Sequence, residues 1–237
     1  MPIQHRKNQD SIIYGRGLLA QAFLGHELPP KTLLLAAGVS NSKLTDQSEC
    51  EREFAFVEEA LAAHPSHLAV YFSSCSVFDP SLASSPYVMH KKKIEKRIAA
   101  HSRFLILRLS QVLGSRTNPN TLSNFLFDKI LRGEPFELWT QATRFVLDIS
   151  DVVRFLLALL EDQSNHNQSW NLTGQVVPLL DLVHALEGLA GKKAIFDSKQ
   201  KGIPFEVDTQ ASEVVQKRIN LDFGGDYFQR VLEKYYS

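Results

Sequence analysis

The sequence predicts an α/β fold, a doubly wound parallel sheet with helices on both faces. Three observations predict it. Short apolar runs alternate with stretches of helical periodicity along the first half of the chain. Two of those runs, Leu68–Phe72 (LAVYF) and Phe104–Leu109 (FLILRL), are continuous rather than alternating, as in strands covered on both faces. The first apolar run, Ser11–Tyr14, leads into Gly15-Arg16-Gly17-Leu18-Leu19-Ala20, a glycine turn that opens an apolar helix.

The elements follow in order. Residues 1–10 are polar and read as a loose lead-in. The helix after Gly17 runs to about Leu24, and Lys31–Gly38 (KTLLLAAG) reads as a strand followed by small residues. A polar loop, Val39–Ser48, suits the mouth of a site. Cys50–His64 reads as a helix with Phe54, Val57 and Leu61 on one stripe, ended by Pro65. After Leu68–Phe72 come Ser73 and Ser74, a loop punctuated by Pro80 and Pro86, and a helix over Tyr87–Ala100 with Ile94 and Ile98 inward. His90, Lys92, Lys93, Lys96 and Arg97 on this helix read as a solvated basic face. Leu122–Leu131 is an amphipathic helix ended by Gly133, and Phe136–Trp139 is a short strand. Asp151 reads as the N-cap of a helix over Val152–Leu160. Leu179–Leu189 is a helix ended at Gly191, Lys192–Phe196 and Phe205–Val207 read as short strands, and Phe223–Tyr236 as a terminal helix.

The totals exclude several classes of function. A chain of 237 residues can bury a full core. Its 26 Lys and Arg balance 26 Asp and Glu, which gives no reason to expect nucleic acid or an anionic membrane as partner. No apolar run reaches the roughly 18 residues of a membrane span. The opening MPIQHRKNQD lacks the apolar core of a signal peptide. Cys50 and Cys75 are too few for a disulfide framework and form no metal-binding spacing, so no metal is expected and a cytoplasmic, reducing location is the default.

The chemistry-bearing stretch is Tyr71–Lys91. Tyr87 and Lys91 stand four apart and share one helix face. A phenol near its reference pKa of about 10 is a poor base at neutral pH, and a nearby ammonium favours the phenolate. The Ser74 hydroxyl is placed to hydrogen-bond a substrate oxygen while Tyr87 moves a proton.

Ser74 followed by Tyr87-x-x-x-Lys91 resembles the Ser–Tyr–Lys set of the short-chain dehydrogenases/reductases. Ser73-Ser74-Cys75-Ser76-Val77-Phe78-Asp79 and, downstream, Leu107-Arg108-Leu109-Ser110-Gln111-Val112-Leu113-Gly114 resemble the extended branch, the NAD-dependent nucleotide-sugar epimerases and dehydratases. That branch normally has two further strands and a helix between its first helix and the strand matching Lys31–Gly38. Here only Gly25–Pro30 lies between them. The resemblance therefore implies a Rossmann-like sheet lacking the usual second and third strands, without the residue that reads the adenosine ribose. It places a dinucleotide-binding core at 1–115, with a return segment near 140–175, and a mainly substrate-binding lobe at 116–237.

The resemblance also implies roles. Ser74, Tyr87 and Lys91 are catalytic, with Lys91 also on the ribose of NAD or NADP. Gly15, Arg16, Gly17, Leu18, Ala36 and Ala37 bind the cofactor. The loop is one residue shorter than the branch's GxxGxxG, and Arg16 either faces a phosphate or is a solvated loop residue. Gln111 stands where many relatives have an Asn on the sugar or the cofactor amide, and Arg144 matches an arginine that commonly binds the nucleotide diphosphate. Dehydratases carry Asp-Glu after the catalytic hydroxyl residue, where this chain has Cys75-Ser76, which leaves epimerisation or ketone reduction of a nucleotide sugar. The alternative is a cofactor-free relative that binds a sugar nucleotide or a protein partner without redox turnover. A homodimer through the Tyr–Lys helix is a further expectation.

Overall fold

The computed structural model describes residues 4–6, 10–39, 47–116, 121–202 and 204–237. Most of the Val39–Ser48 loop lies outside them. The chain divides into two compact units, one of residues 1–109, 149–172 and 207–221, the other of 110–148, 173–206 and 222–237.

The first unit holds a six-stranded sheet. Its strands are β1 (Gln4–Arg6), β2 (Ile12–Tyr14), β3 (Thr32–Leu35), β4 (Leu68–Ser74), β5 (Phe104–Leu109) and β9 (Gln168–Leu172), adjacent in that order. The five from β2 onward are parallel, and β1 joins the edge antiparallel to β2. The residues read as a lead-in thus include a strand. β2 lies directly beside β3, so the sheet has nothing between the strands that flank the first helix.

Helices cover both faces. Ile12, Leu33, Leu35, Ala69, Tyr71 and Ile106 point to one face, against α2 (Gln47–Ala63) through Val57 and Leu61 and α3 (Pro86–Ala99) through Ile94 and Ile98. The alternate residues point to the other face. There Phe72 meets Phe23 of α1 (Leu18–Leu24) with ring centroids 5.8 Å apart. On the same face Trp170 meets Phe155 of α5 (Ile149–Leu160) at 6.4 Å. Each such side chain, fully buried, stabilises the fold by roughly 1.5–3 kcal/mol. The unit is completed by α7 (Gln210–Arg218), where the sequence reading placed no helix. Asp151 is not the N-cap of α5 but sits in its first turn, paired with Arg154 at 3.1 Å, where a carboxylate complements the helix dipole.

The second unit has a three-stranded sheet, β10 (Gln175–Pro178), β8 (Thr143–Asp148) and β6 (Gln111–Leu113), and a parallel pair, β11 (Phe196–Lys199) with β7 (Phe136–Trp139). Residues 205–207 form no strand, and β11 begins where a strand over Lys192–Phe196 was expected to end. The helices α4 (Leu122–Arg132), α6 (Leu179–Ala190) and α8 (Tyr227–Tyr236) bury Leu126, Phe127, Leu182, Leu186, Val231 and Leu232 together. Gly133 and Gly191 cap α4 and α6 in the left-handed conformation. Asp148 ends β8 and is tied to α8 by Lys234 at 2.7 Å and the Tyr235 hydroxyl at 2.6 Å.

Gly15 is required by the pairing of β2 with β3. Its φ is +142°, and a Cβ there would stand 2.4 Å from the Ala36 carbonyl oxygen. Gly17 has nothing within 4 Å of the same position. Gly15→Ala is expected to lower stability by on the order of 2–4 kcal/mol, from backbone strain plus overpacking. Gly17→Ala should cost about 1 kcal/mol or less. Urea midpoints of the two variants check the contrast.

Candidate functional site

Ser74, Tyr87 and Lys91 all lie in the first unit. Ser74 ends β4, and its Oγ accepts the Ser76 N–H at 3.1 Å, capping the turn Cys75–Phe78. No acceptor for its own hydroxyl proton lies among the described residues. Ser85 then caps α3 through the Val88 N–H at 3.2 Å, with Pro86 in the first turn, which fixes where the helix begins. Tyr87 follows at once. Its ring is buried, and its hydroxyl has no hydrogen-bond partner among the described residues. One turn on, the Lys91 ammonium lies 5.9 Å from the centre of the Tyr87 ring.

Lys91 is 3 % exposed and is already engaged. It donates to Glu53 Oε1 at 3.2 Å and to the Tyr71 hydroxyl at 2.8 Å. Tyr71 in turn donates to Glu53 Oε1 at 2.8 Å, closing a triangle. The other carboxylate oxygen, Oε2, accepts His90 Nε2–H at 2.8 Å and the Val39 N–H at 2.7 Å. Each oxygen of Glu53 therefore accepts two hydrogen bonds. His90, expected on a solvated basic face, is instead buried on Glu53. Burial alone would push the Glu53 carboxyl up, but Lys91, His90, the Val39 N–H and Tyr71 together hold it down at about 2. Burial and the adjacent Glu53 charge push the Tyr71 phenol well above its usual range, so it stays a donor. Glu53 carried no signal of function in the sequence beyond its spacing, four before Val57 on the buried stripe of α2.

Arg108, on β5, forms a two-pronged pair with Glu95 at 2.9 and 2.7 Å and is structural. Burial pushes the Cys75 thiol up to about 12, against the partial offset of Arg108, so it is an inert donor to the Arg108 carbonyl. The Ser73 hydroxyl is fully buried with no partner among the described residues.

The glycine loop also lies in the first unit. Gly17 is the N-cap of α1 without a side-chain bond of its own. Arg16 is exposed, and no partner for it lies among the described residues. Leu18, Ala36 and Ala37 are half-buried around β2 and β3. In the second unit Gln111 donates to Ser123 Oγ at 2.6 Å. Arg144, on β8, donates to the Thr143 carbonyl at 2.7 Å. The hydroxyls of Ser74 and Tyr87 and the Lys91 ammonium are a donor set whose chemistry fits the hydroxyls of a dinucleotide. Beyond the glycine turn, β1 takes the strand position beside β2.

The sequence model of the NAD dependent epimerase/dehydratase family matches residues 22–173, more than half of the chain. The chain belongs to that family. The match begins after the Gly15-Arg16-Gly17 turn. No curated protein matches the sequence. Among solved structures, RMD from Pseudomonas aeruginosa complexed with NADPH is similar, with a TM-score of 0.69, 16% identity, and 92% of this chain and 95% of that one covered. UDP-glucuronic acid 4-epimerase from Bacillus cereus, in complex with UDP-glucuronic acid and NAD, gives 0.69 at 20% identity over 93% and 77%. UDP-glucose 4-epimerase from Thermus thermophilus, in complex with NAD, gives 0.63 at 13% over 92% and 80%. At these identities the likeness is one of fold. No helix among the described residues is long and apolar enough to cross a membrane.

The Glu53 cluster makes stability depend on acid. Its folded carboxyl sits near 2 against 4.5 as an isolated group, so the unfolded chain takes up the proton first. The stabilisation is present above pH 4.5 and is lost as pH falls from there toward 2. Its size is on the order of 3 kcal/mol. Urea midpoints between about pH 6 and about pH 3 should fall for the wild type more steeply than for Glu53→Gln, which lacks this titration.

Proposed function

We propose that this chain is an NAD(P)-dependent epimerase or reductase acting on a nucleotide-activated sugar. One observation carries the reading. The Tyr87 phenol is unspent among the described residues, one helical turn from the Lys91 ammonium and on the helix that follows the Ser74 strand end. Family membership and neighbours bound to NAD, NADPH and UDP-sugars support the cofactor and substrate class.

When bound, the dinucleotide supplies a hydride donor or acceptor. The residues do the rest. Tyr87 exchanges a proton with the substrate oxygen whose carbon is oxidised or reduced. Ser74 donates its free hydroxyl proton to that same oxygen and fixes its direction, and Lys91 holds the nicotinamide ribose. Gly17 and Arg16 take the diphosphate, with the guanidinium as a planar donor. Arg144 takes the phosphates of the sugar nucleotide, and Gln111 an amide contact. Cys75, pushed up to about 12 and so kept protonated, and Ser76 supply no acid–base pair that exchanges its proton near neutrality, which agrees with epimerisation or reduction rather than dehydration.

A second reading is favoured by the engagement of Lys91 with Glu53 and by β1 beside β2. In it the chain binds a sugar nucleotide or a protein partner without redox turnover.

Calorimetric titration with NAD(H) and NADP(H) separates the two. The first reading expects saturable binding that weakens by about tenfold or more in Gly17→Asp, through charge repulsion of the diphosphate. Asp is a favoured N-cap and nothing stands within 4 Å of a Cβ at Gly17, so that variant should fold. Tyr87→Phe should retain binding and lose turnover by roughly 10²–10⁴-fold. No binding of any of the four dinucleotides by well-folded protein overturns the first reading and leaves the second.

A further inference from the structure

Of the set Ser74, Tyr87 and Lys91, only Lys91 has its functional group bound to a charged partner among the described residues. Two of its three N–H groups go to Glu53 and Tyr71. Besides Lys91, the partner carboxylate accepts from Tyr71, His90 and the Val39 N–H, so it is held in place independently of Lys91. The pair is also shallow. Gly38 is exposed, and a Cβ on it would stand 2.9 Å from Lys91 Nζ and 2.8 Å from Glu53 Oε1. The ammonium therefore lies just beneath surface backbone at the end of β3, with a counter-charge beside it.

A ligand hydroxyl arriving there meets an ammonium whose charge is cancelled. A carboxylate is a stronger acceptor for N⁺–H than a neutral hydroxyl. Drawing the ammonium away would also leave the buried carboxylate short of its cation, which is costly. We propose that Glu53 is a positioning residue that holds Lys91 in reserve. It competes with the vicinal hydroxyls of a bound ribose for the Lys91 ammonium, and so weakens dinucleotide binding. The inference rests on the reading of Lys91 as a ribose partner given under Proposed function. Tyr71 shares the effect, because its hydroxyl closes the Lys91–Glu53 triangle.

The test is fluorescence titration of full-length protein with NADH and NADPH, for the wild type, Glu53→Gln, Lys91→Met and the double variant, each first checked for a cooperative thermal transition. Glu53→Gln keeps the shape of the side chain and one accepting oxygen and removes its charge, while its amide NH2, a donor, replaces the other acceptor. The expected result is binding at least about tenfold tighter in Glu53→Gln, with the gain absent when Lys91→Met is added, as a double-mutant cycle requires of a direct coupling. Binding by Glu53→Gln alone, with none by the wild type, supports the proposal in its strongest form. Wild-type binding with no gain in Glu53→Gln overturns this proposal and leaves the functional reading standing. A gain that persists without Lys91 also overturns it. Binding by neither protein overturns both. Should Glu53→Gln fail to fold, Tyr71→Phe carries the test, since it frees one Lys91 N–H at nearly constant volume. A tighter complex then supports the proposal, and an unchanged one overturns it.

Discussion

The Glu53 carboxylate is the constraint on which the first unit depends. Its four donors come from α3 (His90 and Lys91), from β4 (Tyr71) and from the backbone after β3 (Val39). A buried carboxylate is tolerable only when paired and fully hydrogen-bonded, and removing one partner of such a pair typically costs about 3–5 kcal/mol. The network therefore couples the rotation of α3 to the position of α2 and the end of β3. Tyr87 lies one turn before Lys91, so the phenol inherits its place from a cluster in which it takes no hydrogen bond.

The shortened sheet has a consequence for chirality. From β2 to β9 the parallel strands advance in one direction. Yet α1 covers the Phe72 face while α2 covers the Tyr71 face. Two crossovers that step the same way but pass over opposite faces have opposite hands. If β3–α2–β4 follows the usual right-handed rule, β2–α1–β3 breaks it. In a sheet with two more strands beyond β2, the same α1 would step the other way and obey the rule. The antiparallel β1 pairs with the edge that such strands would cover, and so protects it from open-edge pairing.

The elements most legible in the sequence are those defined by hydrophobic pattern. The continuous runs at Leu68–Phe72 and Phe104–Leu109 are central strands, and the Phe54, Val57, Leu61 stripe is α2. β1 was not legible, because its residues, QHR, carry no pattern, and an edge strand is made by pairing rather than by burial. α7, QASEVVQKR, was missed because it buries only a narrow stripe around Val215. At the site, the sequence order of Ser74, Tyr87 and Lys91 was legible, and Tyr87 and Lys91 do share one face of α3. Their electrostatic setting was not. Glu53 lies among other acids in a polar helix, and only its register with Val57 marks it as inward. His90 reads as one more cation in a basic run until its face of α3 is known.

The two glycines after β2 show why a motif and a site must be argued separately. Gly15 answers to the sheet, because β2 and β3 are neighbours and the Ala36 carbonyl occupies the space of its side chain. Its presence would be required in a chain that binds no phosphate at all. Gly17 answers to nothing among the described residues, since its missing side chain leaves open space at the start of α1. A Gly-x-Gly turn here is thus half explained by packing, and the family match begins beyond it, at residue 22. The physical case for a dinucleotide therefore rests on the other end of the unit, where β4 delivers Ser74 and α3 delivers Tyr87 and Lys91. There the Lys91 ammonium is already held by one buried carboxylate, so a ligand that needs the same ammonium must be favourable enough to share it.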